Sequence, residues 1–208
     1  SEDPSWSSIQ MACALIRARG IHVVHAHLPN AHVLAGVAGR LTDTPVLATI
    51  HGRQPSSLDI EVQRCTSTHM LVVSKHSYFH ALGIGVSPTQ LSCIPNGVDV
   101  QVFRPGRSNA AGLRERFAVP PGVPLIGFAG RLSHEKGPDV FVRTALLLRS
   151  SLPEAHMVLI GEGPMRAALI ELIEHFDLGT RVHLAGLCED MAAVYHEIDV
   201  LVSSSNSE

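Results

Sequence analysis

Short apolar runs rich in Val and Ile recur along the chain, separated by stretches whose apolar residues return every three or four positions. The runs are His22–His25, Val46–Ile50, His69–Val73, Leu91–Ile94, Leu125–Ala129, His156–Ile160, Val182–Ala185 and Val200–Ser203. Runs of this length, bounded by turn formers, predict strands buried on both faces. Between them Ala31–Leu41, Lys75–Leu82, Pro138–Arg149, Pro164–His175 and Asp190–Glu197 predict helices, and Trp6–Ala18 opens the chain with another. Around the fourth of these, Met165, Leu169, Leu172, Ile173 and Phe176 form one stripe at helical period. Strands alternating with helices imply parallel sheets covered on both faces, an α/β doubly wound architecture.

The rhythm breaks once, between Phe103 and Pro124, where Pro and Gly cluster on both sides of a short amphipathic piece, Leu113–Phe117. That composition predicts an inter-domain connection. It divides the chain into two Rossmann-like units, residues 1–103 and 104–208, each with about four strands, fewer than a complete doubly wound domain carries.

Composition narrows the class. The 208 residues are 45% hydrophobic with a net charge of -3, which fits packed cores and excludes disordered or collagenous chains. No uncharged apolar run approaches the roughly 18 residues of a bilayer span. The near-neutral balance argues against a nucleic-acid partner. Four scattered cysteines (Cys13, Cys65, Cys93 and Cys188) form no paired spacing, and the polar, acidic start does not read as a signal peptide. Free thiols in a reducing cytoplasm are the expectation. Thirteen histidines raise the question of a metal. His25 and His27 share a strand face, yet lack a third ligand nearby, so no metal site is expected.

Candidate chemistry lies just past the strands, where open parallel sheets bind ligands. After Leu125–Ala129 comes Gly130-Arg131-Leu132-Ser133-His134-Glu135-Lys136-Gly137-Pro138. Arg131 offers a guanidinium fork and Lys136 a point charge, both suited to phosphate oxygens; a solvated surface loop has the same composition. Gly161-Glu162-Gly163-Pro164 is a second tight strand-to-helix turn. His51, at the lip of Val46–Ile50, is either a general base, a polar substrate contact or a loop residue without a role. Asp59-Ile60-Glu61 sits at a helix start, where the helix dipole favours acids. There is no GxxxxGK[ST], GxGxxG, GxSxG or Asp-x-Asp motif. A diphosphate ligand would therefore be neutralised by Arg, Lys and helix N-termini.

Taken in order, "VVHAHLPNAHVLAGVAGRLTDTPVLATIHG", "IPNGVDVQVFRPG", "GFAGRLSHEKGPDVFVRT", "LIGEGPMRAAL" and "VYHEIDVLVSSSNSE" resemble the retaining GT-B glycosyltransferases of family 4 (glycosyl transferase group 1). The resemblance implies two facing Rossmann-like domains with a nucleotide sugar between them. It implies transfer of a hexose to a carbohydrate or lipid-linked acceptor hydroxyl, with retention and without metal or further cofactor. On the same resemblance, Arg131 and Lys136 would hold the donor diphosphate and His51 would contact the donor sugar. Leu187 would meet the nucleobase through its backbone, and Glu208 would be the first glutamate of the family's E-x7-E pair, touching the transferred sugar. The chain has Ser203-Ser204-Ser205 where the family usually places a Pro before that glutamate. Both domains would be incomplete: a first strand and glycine-rich loop would precede residue 1, and the second sheet would continue past Glu208. A fragment of a roughly 350–400-residue enzyme is expected, itself inactive, with a cytoplasmic location and peripheral membrane contact left open. A nucleotide-sugar epimerase of the same architecture and a non-catalytic nucleotide-binding module are the alternatives.

Overall fold

The computed structural model describes residues 4–106 and 112–206. It divides into two compact units, Ser1–Gly97 and Val98–Glu208.

The first unit begins with α1 (Trp6–Arg19), capped by the Ser5 hydroxyl, which accepts from the Ser8 amide. The Ile21 amide returns to the Ile16 carbonyl at 3.0 Å and closes the helix end. The chain then alternates β1 (Val24–His27), α2 (Pro29–Thr42), β2 (Val46–Ile50), α3 (Ser57–Thr66), β3 (His69–Val72), α4 (Lys75–Gly83) and β4 (Leu91–Cys93). All four strands are parallel, in the order β1-β2-β3-β4. The first strand starts two residues later than its apolar run suggests. Residues 20–23 are used to leave α1, and pairing begins where the Val24 amide bonds the Pro45 carbonyl at 3.0 Å.

Small residues let α2 lie close on this sheet: Ala26, Ala35 and Ala48 form one cluster. In a second cluster, Ile50, Met70, Val72 and Leu91 pack with Ile60 of α3 and Ala81 of α4. Between α2 and α3 stands a buried polar pair. His32 Nδ1 and Asp59 Oδ1 are 3.0 Å apart, with both side chains almost fully buried. Asp59 also completes a capping box with Ser56 at the start of α3. Burial pushes the Asp59 carboxyl upward, but hydrogen bonds from His32 and from the Ser56 hydroxyl and amide outweigh it, and its pKa lies below the ordinary value.

The second unit contains α5 (Leu113–Arg116), β5 (Leu125–Ala129), α6 (Pro138–Leu148), β6 (His156–Ile160), α7 (Arg166–His175), β7 (Val182–Gly186), α8 (Met191–Glu197) and β8 (Val200–Leu201). Its sheet is parallel in the order β7-β6-β5-β8. Alternation along the strands sends Ile126, Phe128, Met157 and Leu159 to one face, against Phe141, Val142 and Leu169 of α6 and α7. Leu125, Val158 and Ile160 go to the other, with Leu113 of α5 and Val194 of α8. Both faces are thus covered, as continuous apolar strands require. Arg114 ties α5 to the strand end: it reaches Asp199 Oδ2 at 2.6 Å and the Glu197 carbonyl at 3.0 Å. No helix among the described residues is long and apolar enough to cross a membrane.

Candidate functional site

In the second unit β5 is flanked by β6 on one side and β8 on the other: the chain builds outward from β5 through β6 and β7, then crosses back to add β8 on the far side of β5. Ligands of open α/β sheets bind outside the carboxyl ends of the strands at such a reversal. The segments after β5, β6 and β7, on one side of that reversal, converge at the carboxyl edge of the sheet on a cavity of about 410 Å³ lined by Arg131, Glu162, Leu187, Cys188, Met191 and Tyr195 among others.

Two loops form one wall by backbone pairing. The Gly130 amide bonds the Ile160 carbonyl, the Leu132 amide bonds the Glu162 carbonyl, and the Met165 amide bonds the Leu132 carbonyl, at 2.9–3.0 Å. Such proximity leaves no room for side chains at two positions. A Cβ on Gly161, whose φ is +133°, would lie 2.0 Å from the Gly130 carbonyl oxygen, and one on Gly163 would lie 2.4 Å from that of Leu132. The "GEGP" turn is therefore built for close loop contact. A register shift between β6 and β7 pairs Ile160 with Gly186 and leaves Ala185 over. Such an irregularity bends a strand end and re-aims the residues beyond it, here the exposed Leu187.

The cations of the site are spaced along one loop. Arg131 is exposed directly after β5, and Lys136 is half-buried in a short 3-10 turn, His134–Lys136, which leads into α6. Glu135 lies between them. The Ser133 hydroxyl, then its own backbone amide, and further the charges of Arg131 and Lys136 hold its carboxyl below the usual range. Helix α6 starts with Pro138 at its first position and has no side-chain cap, so the positive end of its dipole meets the turn without a capping side chain. The segment after β8 is fastened to this turn: Ser204 Oγ donates to the Gly137 carbonyl at 2.8 Å, and the Asn206 amide bonds the Glu135 carbonyl at 2.8 Å.

Of the residues singled out in the sequence, Arg131 and Leu187 line the same cavity. Lys136 lies on the adjoining turn, and Glu208 is outside the described residues. His51, in the first unit, is exposed immediately after β2; its Nε2 is 2.8 Å from His27 Nδ1. The sequence reasoning missed Glu162, Met191 and Tyr195 as lining residues. Glu162 sits between the two constrained glycines and 3.4 Å from Arg166. Met191 and Tyr195 are four apart on α8, the spacing that puts both on one helix face. Among the described residues no three His, Cys, Asp or Glu side chains gather as a metal-binding set.

Comparison with known proteins covers nearly the whole chain. Residues 3–102 match the family described as Glycosyltransferase Family 4, and residues 111–208 match Glycosyl transferases group 1. The chain is 26% identical over 208 aligned residues to the Escherichia coli UDP-Gal:alpha-D-GlcNAc-diphosphoundecaprenol alpha-1,3-galactosyltransferase, covering 92% of this chain and 54% of that protein. It is 35% identical over 133 residues to the D-inositol 3-phosphate glycosyltransferase of Nocardia farcinica, covering 60% of this chain and 29% of that one. The chain thus spans about half the length of the first relative, and less of the second. Among solved structures, Anabaena HepE in complex with UDP-glucose aligns with a TM-score of 0.81 at 18% identity, over 95% of this chain and 56% of that one. At that identity the likeness is one of fold.

Proposed function

The chain belongs to the glycosyltransferase families whose models match its two halves, and on that premise we propose that it serves the transfer of a hexose from a nucleotide sugar to an acceptor hydroxyl. The observation that carries this reading is the gathering of Arg131, the glycine-constrained loops and Leu187 around one cavity at the carboxyl edge of the second sheet.

In this reading the nucleoside diphosphate occupies that cavity. Arg131 and Lys136 take the charge that grows on the diphosphate as the sugar leaves, and the uncapped amino end of α6 adds to the same field. The backbone past Leu187 meets the base, which rests beside Met191 and Tyr195. In the first unit, His51 offers a ring nitrogen to a sugar hydroxyl. Retention of configuration and independence from metal belong to the proposal, as do a cytoplasmic setting and the lipid-linked acceptor class suggested by the Escherichia coli relative. Glu208 is proposed, by resemblance, as a contact to the transferred sugar.

Calorimetry of the 208-residue chain with UDP and GDP tests the site, and transfer assays on the full-length gene product test the activity. We expect nucleotide binding that Arg131→Ala weakens. The same substitution should lower transfer by a factor of about 10²–10³, the size of one lost electrostatic contact in a transition state, and a chelator should leave transfer unchanged. Full transfer by Arg131→Ala, or no binding of either nucleotide, overturns the reading.

A further inference from the structure

The first sheet carries a row of imidazoles of which the proposed chemistry uses only His51. The parallel register sets His27 of β1 opposite Thr49 of β2. Alternate residues of a strand share a face, so His25, His27 and Thr49, with His51 just beyond β2, lie along one face at the carboxyl edge. Their contacts form a chain. His25 Nε2 and the buried Thr49 hydroxyl are 2.7 Å apart, and His27 Nδ1 and His51 Nε2 are 2.8 Å apart. The rings adjoin as well: His25 and His27 are tilted by 38° with centroids 4.4 Å apart, and His27 and His51 stack at 5.0 Å with planes 22° apart. All three rings are exposed, with one end of the row anchored at Thr49.

We infer that His27 is a positioning residue for His51: it engages Nε2 and leaves Nδ1 as the nitrogen that His51 presents to a ligand. The inference rests on the proposed role of His51 as a sugar contact. The chemistry of a paired imidazole gives it further content. A neutral imidazole carries one N–H and one lone pair, and a hydrogen bond at one nitrogen decides what the other offers. When His27 Nδ1–H donates to His51 Nε2, the proton of His51 is on Nδ1, which then donates to a sugar oxygen. When His51 Nε2–H donates to His27, Nδ1 of His51 keeps its lone pair and accepts from a sugar hydroxyl. The tautomer of His27 therefore sets whether His51 acts as donor or acceptor, although His27 itself touches no ligand.

Two measurements test this. In the 208-residue chain with ¹⁵N-labelled imidazoles, correlation spectra through two bonds report the tautomer of each ring. We expect one fixed tautomer for His51. His27→Phe, which keeps an aromatic ring in the stack, should move the His51 signals toward the averaged pattern of free imidazole. His27→Asn, whose amide reaches where Nδ1 stood, should hold them fixed. In the full-length gene product, His27→Phe should lower kcat about tenfold with donor KM unchanged, the size of one hydrogen bond, and His27→Asn should restore kcat to within about twofold. Unmoved His51 signals in His27→Phe overturn the inference, and so does an equal kcat loss in both variants. If His51→Ala leaves kcat intact, the proposed role of His51 fails, and with it the positioning role of His27; the spectra separate that failure from a failure of the pairing.

Discussion

Two pairs of imidazoles hydrogen-bond in this protein at nearly the same distance, each joining neighbouring strands but at opposite edges of their sheets. His27 and His51 meet at 2.8 Å at the carboxyl ends of β1 and β2, where both rings are exposed. His156 and His183 meet at 2.9 Å at the amino ends of β6 and β7. Here His183 is half-buried, stacked between His156 and Phe117, whose ring centroid is 4.6 Å away with planes 13° apart. Burial, and then the neighbouring His156, push the His183 pKa down to about 4. His156 is also lowered, by burial first and then by Arg181. One contact thus serves two purposes, and position decides which. At the carboxyl edge it is proposed to orient His51 toward a ligand; at the amino edge it packs the base of a sheet.

The largest effect should come from a third histidine contact, in which a carboxylate replaces the second imidazole. Asp59→Ala removes a buried partner of His32 and the capping box of α3 together, and we expect a loss of about 3 kcal/mol in urea unfolding. The part due to ionisation is present above the ordinary carboxylate range and is lost as pH falls through the depressed pKa of Asp59. His51→Ala should then divide activity from stability: transfer by the full-length gene product falls roughly a hundredfold, while stability moves by less than about 0.5 kcal/mol. A stability loss as large as that of Asp59→Ala would erase the distinction between the two edges.

The amino-edge pair predicts an acid response of the second unit that begins at higher pH than that of Asp59. A histidine held neutral by the fold contributes stability that is complete above its ordinary pKa of 6.5 and is lost as pH falls toward about 4, because the unfolded chain then binds the extra proton. Discounted for solvent screening at a half-buried site, the change is on the order of 1–2 kcal/mol. Hydrogen exchange of the β6 and β7 amides, corrected for intrinsic rates, should register it, and His183→Gln should flatten the profile. The smallest effect belongs to Thr49→Val, which keeps the shape and loses the bond to His25. Roughly 0.5–1 kcal/mol is expected, with a measurable loosening of the His25 and His27 ring signals.

The strands were plain in the sequence because each is a short apolar run, and a strand buried on both faces needs nothing subtler. Arg131 was legible for a related reason: it closely succeeds such a run, and strand ends converge, whereas Leu187 was singled out by the family resemblance alone. His32 was not, since a polar residue inside the apolar helix Ala31–Leu41 announces nothing about a partner on another helix. Glu162 was masked by the glycines around it, which read as a generic turn until their backbone contacts were seen. The fastening of Ser204 and Asn206 to the turn before α6 joins residues far apart in the chain, and no local period encodes it.

The constraint on Gly161 and Gly163 has an evolutionary side. Both positions abut a neighbouring carbonyl so closely that any side chain must push the loops apart. Of the three residues in that turn, Glu162 alone has latitude to change. Variation within this turn is therefore channelled through position 162, where a saturation library leaves the backbone contact between the two loops intact, whereas substitution at 161 or 163 must break it.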